Sequence, residues 1–424
     1  MKTRIVKVGI TISLITSSLL YATNGDNLIS VGAKSRGMGG SGIAISHGAE
    51  SSLVNPALIT KVENSEISFG GTLFMPDMST KMGRAPYYDS DADMNVIPEV
   101  SIAHKINENW FVGMGMWGTA GMGVDYRNAH IDPMDSGNMH MVTNLQLMQF
   151  GVPIAYRYDS YSIAITPILQ YGALDIGYND FMGNSVGDGI AQDLQFGYSM
   201  GATYDFTANG VDGLILGVVY KSKIEMDYSN QLSKATQPFV DVGIFPAPMG
   251  DILEQPAEIG IGIAYSMENH SFAFDYRQIA WSDAQGYQDF GWEDQDVYAF
   301  GYEYHQDNWI LRLGYNYASN PLSELPSGSQ VIPAGSYAMA GGDALNLFNL
   351  LGFPATAEEH YTIGGTYEFS EVFSVDLAYV YAPETTTTMS TIVGLNPQTG
   401  DIYTGPSTVE HTENSISFQL TYKF

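Results

Sequence analysis

The last ten residues of the chain, SISFQLTYKF (415–424), alternate without interruption between polar and apolar side chains. Successive side chains of an extended strand point to opposite faces, so one face of this segment is apolar and the other polar. Such a segment is typical of a strand that separates two different environments.

The same period-two pattern recurs from Ser65 to the end of the chain, in segments joined by alternately short and long connections. An even number of strands with short turns at one end and long loops at the other is typical of outer-membrane barrels. The pattern predicts fourteen strands, at 65–75, 97–105, 110–125, 142–157, 161–177, 195–206, 212–227, 257–267, 271–281, 296–305, 309–318, 360–369, 372–382 and 414–424.

A soluble sandwich would also alternate, but the character of the two faces argues against it. The apolar faces are large and end in aromatic residues, whereas the opposite faces are small or polar and seldom heavily charged. A strand edge left open in lipid would leave backbone groups unpaired, so the sheet must close. We therefore predict an all-β fold, a 14-stranded antiparallel transmembrane β-barrel over residues 64–424, in the lipid of a bacterial outer membrane.

The composition excludes several functional classes. There are 17 Lys and Arg against 46 Asp and Glu, a formal net charge of −29, and no Cys. Binding to nucleic acid needs a basic surface, so it is not expected. Without Cys there is no disulfide, zinc-thiolate site or cysteine nucleophile. No window beyond the N-terminus offers 18 consecutive apolar residues, which argues against a helical membrane protein.

The N-terminal residues precede the first strand and do not alternate. Residues 1–22 are predicted to be a signal peptide, with three basic residues, an apolar stretch and a small residue, Ala22, before the cleavage point. Residues 23–63 are rich in Gly, Ser and Ala and have no place in a barrel wall. We expect them to form a plug, or hatch, inside the lumen.

The sequence GAKSRGMGGSGIA (32–44), followed by Asn55, Pro56 and Ala57, resembles the hatch of the FadL/TodX family. Members of that family are fourteen-stranded outer-membrane transporters of long-chain fatty acids and aromatic hydrocarbons. The terminal Phe424 is similar to the final aromatic residue that the barrel-assembly machinery reads in outer-membrane proteins. Related families that serve secretion or adhesion share a glycine-rich stretch like residues 37–42, the glycine-rich lead. A structural or assembly barrel is therefore the alternative function.

The resemblance implies a route for an apolar ligand that lipopolysaccharide keeps out of the outer leaflet. The ligand binds apolar outer loops, enters a pocket above the hatch, and leaves sideways where the third strand kinks. Gly121 aligns with that kink. The alternative is that the glycines of this strand only let the plug approach the wall.

Apolar candidates for contact with the ligand come from two strands and one loop. The alternative interpretations are that the strand residues face lipid and that the loop residues cap the barrel mouth. The candidates are Met114, Met116 and Met122 in the third strand, Leu145 and Leu147 in the fourth, and Phe239 and Phe245 in loop 228–256. An apolar run at 345–353 is predicted to form a short helix.

Four basic residues, Lys221, Lys223, Arg277 and Arg312, are candidates for binding a carboxylate in the lumen. The alternative is that they pair with inward-facing acids, since buried charges are normally paired. The family's fatty-acid transporter places an arginine near the end of the fifth strand, where this chain has Asp175, Asn179 and Asp180. This departure makes a neutral hydrocarbon an alternative to a fatty acid as substrate.

Two short sequence patterns suggest an enzyme or a metal site, but neither has the surrounding residues or structure that such a site needs. GNSVG (183–187) matches G-x-S-x-G but lies in a predicted loop without the strand-to-helix turn that the motif needs. The acidic run that begins at Asp89 lacks the glycine and glutamate that a calcium loop requires. We therefore predict no catalytic residue, cofactor or metal site.

Overall fold

Fourteen antiparallel strands form a closed barrel in the computed structural model of the chain, which describes residues 24–131, 135–328, 341–396 and 401–424. The predicted signal peptide, 1–22, lies outside the described residues. The barrel strands are β1 Ser65–Met82, β2 Asn95–Lys105, β3 Trp110–Asp125, β4 Val142–Gly151 with its continuation Ile154–Tyr158, β5 Tyr161–Asn179, β6 Ala191–Asp205, β7 Leu214–Lys221, β8 Glu258–Met267, β9 His270–Ile279, β10 Gln295–Gln306, β11 Trp309–Ala318, β12 Glu359–Ser370, β13 Phe373–Leu395 and β14 Ile402–Lys423.

The barrel closes where β1 pairs with β14, with Glu66 opposite Lys423, and β1 pairs with β2 on its other side. Helices and short strands lie in the N-terminal segment and the loops. They are α1 Ala33–Gly37, α2 Ser51–Val54, α3 Leu232–Asp241 and α4 Gly341–Leu347, with the short strands Tyr88–Asp89 and Ser185–Val186. Across the described ranges, every helix is too short or too polar to cross a membrane.

All fourteen predicted strands are present, and the predicted fold is confirmed. The largest difference is at the last connection, where a loop was predicted over 383–413. There β13 and β14 continue as a paired ladder in which Thr388 lies opposite Thr408. This extension is rich in Thr and Ser and does not alternate with apolar residues, so its sequence lacks the strand signal.

The two faces of the wall differ as predicted. In β14, Ile416 and Phe418 are nearly half exposed, whereas Ser415 and Ser417 are almost fully buried. Since the buried polar side chains face the lumen and the exposed apolar ones face outward, the alternation places the apolar face towards lipid.

The N-terminal segment, residues 24–63, packs against the inner faces of the strands. The carboxylate of Asp275 in β9 accepts hydrogen bonds from the N–H groups of Gly42 and Ile43, at 2.7 and 2.9 Å. Asn55 accepts a hydrogen bond from the N–H of Ala57 and donates one to the carbonyl of Ile43, at 2.7 Å. The segment is therefore fixed by backbone hydrogen bonds to polar side chains, and the Asn-Pro-Ala motif stabilises its turns.

Glycine on both sides allows the segment to approach the wall closely. A Cβ atom at Gly314 in β11 would lie 2.0 Å from the backbone nitrogen of Gly39, which itself has a positive φ of 68°. A Cβ atom at Gly301 in β10 would lie 2.3 Å from the hydroxyl of Ser41. The glycine-rich lead of the segment thus matches a glycine patch on the wall.

Substituting Gly314 with Ala should weaken this contact, because the new methyl group would collide with backbone atoms that cannot rotate away. We expect the free energy of unfolding to fall by about 1–3 kcal/mol. The measurement is the midpoint of the heat-dependent shift in electrophoretic mobility. Gly177→Ala is the control, since the nearest neighbour of its Cβ would be 3.6 Å away. Equal midpoints for both variants would contradict the close contact.

Candidate functional site

Apolar side chains fill the upper lumen, between the N-terminal segment and the long loops. They form one buried group, the upper cluster, which includes Met122, Leu145, Leu147, Tyr178, Phe239, Phe245, Trp281 and Phe348. Seven buried methionines belong to it. Methionine is flexible and polarisable, so such a cluster can adapt to apolar ligands of different shape.

A cavity of about 180 Å³, the outer cavity, lies at the mouth of the barrel beside the upper cluster. Its lining is mostly apolar, with Tyr178, Phe239 and Ile244 among the contributors, and its two charged residues are both acidic, Asp180 and Asp241. An apolar cavity of about 150 Å³ is enough to bind benzene. The outer cavity is therefore of a size for one aromatic ring.

The hydrogen-bonded ladder between β2 and β3 is incomplete. Their pairing ends at Glu99 and Trp117, although β2 continues to pair with β1 as far as Asn95. Beyond Trp117, β3 pairs with β4 but no longer with β2, and the register between β3 and β4 shifts between Gly118 and Ala120, so that Thr119 is a bulge. We call this region, between Asn95–Pro98 and Gly118–Val124, the wall gap.

The N-terminal segment supplies hydrogen bonds to the open edge of β3. The N–H of Leu28 donates to the carbonyl of Thr119, at 3.1 Å, and the N–H of Gly121 donates to the carbonyl of Asp26, at 2.9 Å. The segment here forms an antiparallel bridge, with Asn27 opposite Ala120. Residues 26–28 therefore replace the missing strand from the inside.

The side chain of Asp26 fixes these residues to two loops. Its carboxylate accepts hydrogen bonds from the hydroxyl of Tyr287, at 2.5 Å, and from the amide of Gln255, at 3.1 Å. Burial raises the pKa of Asp26 to about 6, although both hydrogen bonds favour the ionised form. A carboxyl group that is costly to ionise thus holds the segment against the gap.

Five of the predicted ligand-contacting residues come together in the upper cluster: Met122, Leu145, Leu147, Phe239 and Phe245. Phe239 and Phe245 are buried, and both interpretations of them, contact with a ligand and capping of the barrel mouth, stay predictions.

The predicted lumenal position of Met114 and Met116 is wrong. Met114 is 59% exposed on the outer face, and Met116 lies beside it in an outer groove. The bulge at Thr119 adds one residue to β3, which reverses the alternation, so that Met122 points inward although Met114 and Met116 point outward. Gly121 lies two residues beyond this bulge.

The four basic candidates are all paired with acids. Lys223 lies 2.8 Å from Glu254, and Arg312 lies 2.6 Å from Glu303. Lys221 and Arg277 lie 3.2 and 3.9 Å from one oxygen of Glu258. Each of the four therefore makes the ion pair of the alternative interpretation, and binding of a carboxylate by these residues stays a prediction.

Sequence reasoning missed Asp26, Thr119, Gln255 and Tyr287, which form the gap and its closure. Thr119 lies in a stretch where glycine and apolar residues occur on both faces, so nothing in the alternation marks a bulge. Asp26, Gln255 and Tyr287 are far apart in sequence and meet only in the folded barrel, so no local pattern predicts their contact.

A family model described as "Outer membrane protein transport protein (OMPP1/FadL/TodX)" matches residues 15–341. No curated protein sequence matches the chain. The matched region includes the glycine-rich lead, the Asn-Pro-Ala motif and the first eleven strands.

Solved structures share the fold at low sequence identity. The Pseudomonas putida toluene transporter TodX has a TM-score of 0.64 at 16% identity, covering 94% of this chain and 99% of that one. A Pseudomonas aeruginosa FadL homologue gives 0.67 at 15%, covering 94% and 100%. The Ralstonia pickettii toluene transporter TbuX gives 0.60 at 15%, covering 94% and 99%.

Replacing Asp26 with Asn should stabilise the protein at neutral pH. The pKa of Asp26 is raised from 3.8 to about 6, so the folded protein loses stability as the pH rises through that window. The gain from Asp26→Asn should be small below pH 4 and reach about 3 kcal/mol above pH 6. Chemical unfolding of both proteins, followed by tryptophan fluorescence across this pH range, measures it.

Asp212→Asn serves as the control, because Asp212 is exposed in a turn. We expect it to leave the pH dependence unchanged. A gain for Asp26→Asn that does not grow with pH would show that the buried charge is not its source.

Proposed function

Because the chain belongs to the OMPP1/FadL/TodX family of outer-membrane transport proteins, we propose that it conducts hydrophobic small molecules across the outer membrane by passive diffusion. The observation that carries the proposal is the wall gap beside an apolar upper cluster. Two of the structural relatives are named as toluene transporters, which supports the same ligand class here.

Capture is proposed to occur at the outer cavity. Its mostly apolar lining, with Phe239 and Ile244, offers contacts to a ligand that lipopolysaccharide excludes from the outer leaflet. The cavity borders the upper cluster, to which Phe239 also belongs. A ligand can therefore move inward by displacing flexible side chains, Met122 among them, without crossing a polar barrier.

Residues 23–63 are proposed to act as the hatch that blocks a direct path to the periplasm. The contacts of Asp275, Asn55 and Gly314 hold the described part of this segment against several strands. An apolar ligand that reaches this barrier has a shorter way out through the wall gap, next to Gly121. Lateral exit delivers the ligand into lipid, so that the ligand does not have to cross a polar, water-filled pore.

Expression of the chain in a bacterium without its own hydrocarbon or fatty-acid channel tests the proposal. Uptake of radiolabelled toluene or of a labelled long-chain fatty acid should increase over a strain that carries the empty vector. A barrel that serves only secretion or adhesion would increase neither. Unchanged uptake of both probes, with the barrel folded in the outer membrane, would overturn the proposal.

Lateral exit requires residues 26–28 to leave the edge of β3, and a disulfide can prevent this. The chain has no Cys, so the double variant Asn27→Cys, Ala120→Cys introduces a single pair at bridged positions. We expect oxidation to reduce uptake to the level of the empty vector. Reduction with dithiothreitol should restore uptake, because residues 26–28 are then free to separate from β3.

The matched control is Thr60→Cys, Ser162→Cys, which joins the other end of the segment to β5, where the two hydroxyls lie 2.9 Å apart. Uptake should be unchanged when this second pair is oxidised, if only residues 26–28 move. Loss of uptake with both pairs would indicate that the whole segment moves. Full uptake with the first pair oxidised would argue against exit through the gap.

Gly121→Trp should also impair uptake, because a large side chain at the gap obstructs the exit. Gly177→Trp is the control, since Gly177 lies in β5 away from the gap. Both variants should keep the heat-dependent mobility shift of a folded barrel. Full uptake by Gly121→Trp would count against an opening at this position.

A further inference from the structure

A groove on the outer face of the barrel holds Met114 and Met116, two methionines whose side chains point away from the lumen. This lipid-facing groove has a volume of about 530 Å³, and every residue that lines it is apolar. It crosses the strands β2 to β6, since Ile102 at one side and Phe196 at the other both line it. A volume of this size is typical of a site for one small ligand.

The lipid-facing groove begins where the wall gap ends. Val100 lies opposite Met116 in the ladder between β2 and β3, and both residues line the groove. The next pair towards the gap, Glu99 and Trp117, is the last pair of that ladder. Successive residues of a strand are about 3.3 Å apart, so a molecule that passes through the gap meets the groove within one or two residues.

The lipid-facing groove leads from the gap towards the short turns of the barrel. Ile102 lies opposite Met114, and this pair is closer than the gap to the turn between β2 and β3. Short turns lie at the periplasmic end of outer-membrane barrels. A molecule in the groove is therefore displaced towards the inner leaflet, away from the leaflet that contains lipopolysaccharide.

The side chains of the lipid-facing groove are suited to an aromatic ring. Phe150 and Phe196 are 40% and 80% exposed, and neither contacts another aromatic ring among the described residues. Met114 and Met116 add two thioether groups. Contacts of a ring with another ring or with sulfur are favourable, and a saturated lipid chain makes neither. An aromatic molecule can therefore displace lipid from this groove.

A second groove on the outer face has a similar size but a different lining. It crosses β8 to β11, does not border the wall gap, and has a volume of about 510 Å³. Phe274 and Phe300 line it, and their rings are already in contact, with 4.8 Å between the centroids. Its described lining residues include no methionine. The second groove is therefore a control for the effect of size and apolar lining alone.

We propose that the lipid-facing groove is a further binding site for the transported molecule, and that it takes the aromatic ring of a neutral hydrocarbon as this leaves through the wall gap. Phe150 and Phe196 supply ring contacts, and Met114 and Met116 supply sulfur contacts. The inference rests on the proposed transport function and adds a site outside the lumen. It assigns Met114 and Met116 to ligand contact on the face opposite to the one that the sequence predicts.

Photolabelling of the purified protein in phospholipid vesicles tests this site. The probe is a phenyl trifluoromethyl diazirine, which inserts into neighbouring side chains on irradiation, and mass spectrometry locates the labelled residues. Toluene and heptane, which have the same number of carbon atoms, are the competitors. Excess toluene should reduce labelling at Met114 and Met116, whereas excess heptane should not. Neither competitor should reduce labelling at Phe274 and Phe300 in the second groove.

Two matched double variants test the role of the rings. Phe150→Leu, Phe196→Leu removes both rings of the lipid-facing groove and keeps apolar side chains, and Phe274→Leu, Phe300→Leu makes the same change in the second groove. The first variant should raise the toluene concentration for half-maximal competition by about tenfold and lower the initial rate of toluene uptake by cells. The second variant should change neither quantity. The heat-dependent mobility shift verifies that both variants are folded.

Labelling at Met114 and Met116 that toluene does not reduce would overturn the site and show that the groove holds membrane lipid only. Equal competition by toluene and heptane, or in both grooves, would overturn it as well, because the surface would then be an ordinary lipid contact. Unchanged uptake by Phe150→Leu, Phe196→Leu would refute a place for the groove on the route. Uptake by wild-type cells without competition in vesicles would refute this inference alone, whereas competition without uptake would refute the proposed function.

Discussion

The need to pair every backbone N–H and C=O group away from water governs this structure. In lipid an open sheet edge is costly, so the sheet closes through β1 and β14. The edge of β3 beyond Trp117 departs from this rule, because β2 no longer pairs with it. Residues 26–28 instead pair with the backbone groups of Thr119 and Gly121 from the lumen side. The wall is therefore complete only with a piece of the N-terminal segment in it.

The N-terminal segment is held by different contacts along its length. Around Gly39, glycines on both sides bring backbone within van der Waals contact of the wall, and Asp275 fixes the turn that follows. Around Asp26, Gly25 packs against the ring of Trp281, and Leu28 packs in a buried apolar cluster with Trp117. The carboxyl group of Asp26, whose pKa burial raises to about 6, adds hydrogen bonds to two loops. The part of the segment beside the wall gap is therefore fixed both by packing and by hydrogen bonds to a group that is costly to ionise.

The sequence predicts the wall better than the site. Alternation locates all fourteen strands and their faces, since lipid and lumen demand opposite side chains. It misses the extension of β13 and β14, because the residues around Thr388 are mostly polar and do not alternate with apolar ones along the sequence. It also predicts the same face for Met114 and Met122, which is wrong. The bulged residue between them exchanges the inward and outward positions in the rest of β3. The pairing of Lys221 with Glu258 depends on register between distant strands, which only the folded sheet defines.

The charges at the barrel mouth act on the first step of the proposed route. Acidic residues dominate the chain, with a net charge of −29, and Asp180 and Asp241 border the outer cavity. A negative mouth slows the arrival of anions, since long-range electrostatics acts mainly on association rates. A neutral hydrocarbon is not slowed in this way, so the charge of the mouth distinguishes between the two ligand classes before either enters the barrel.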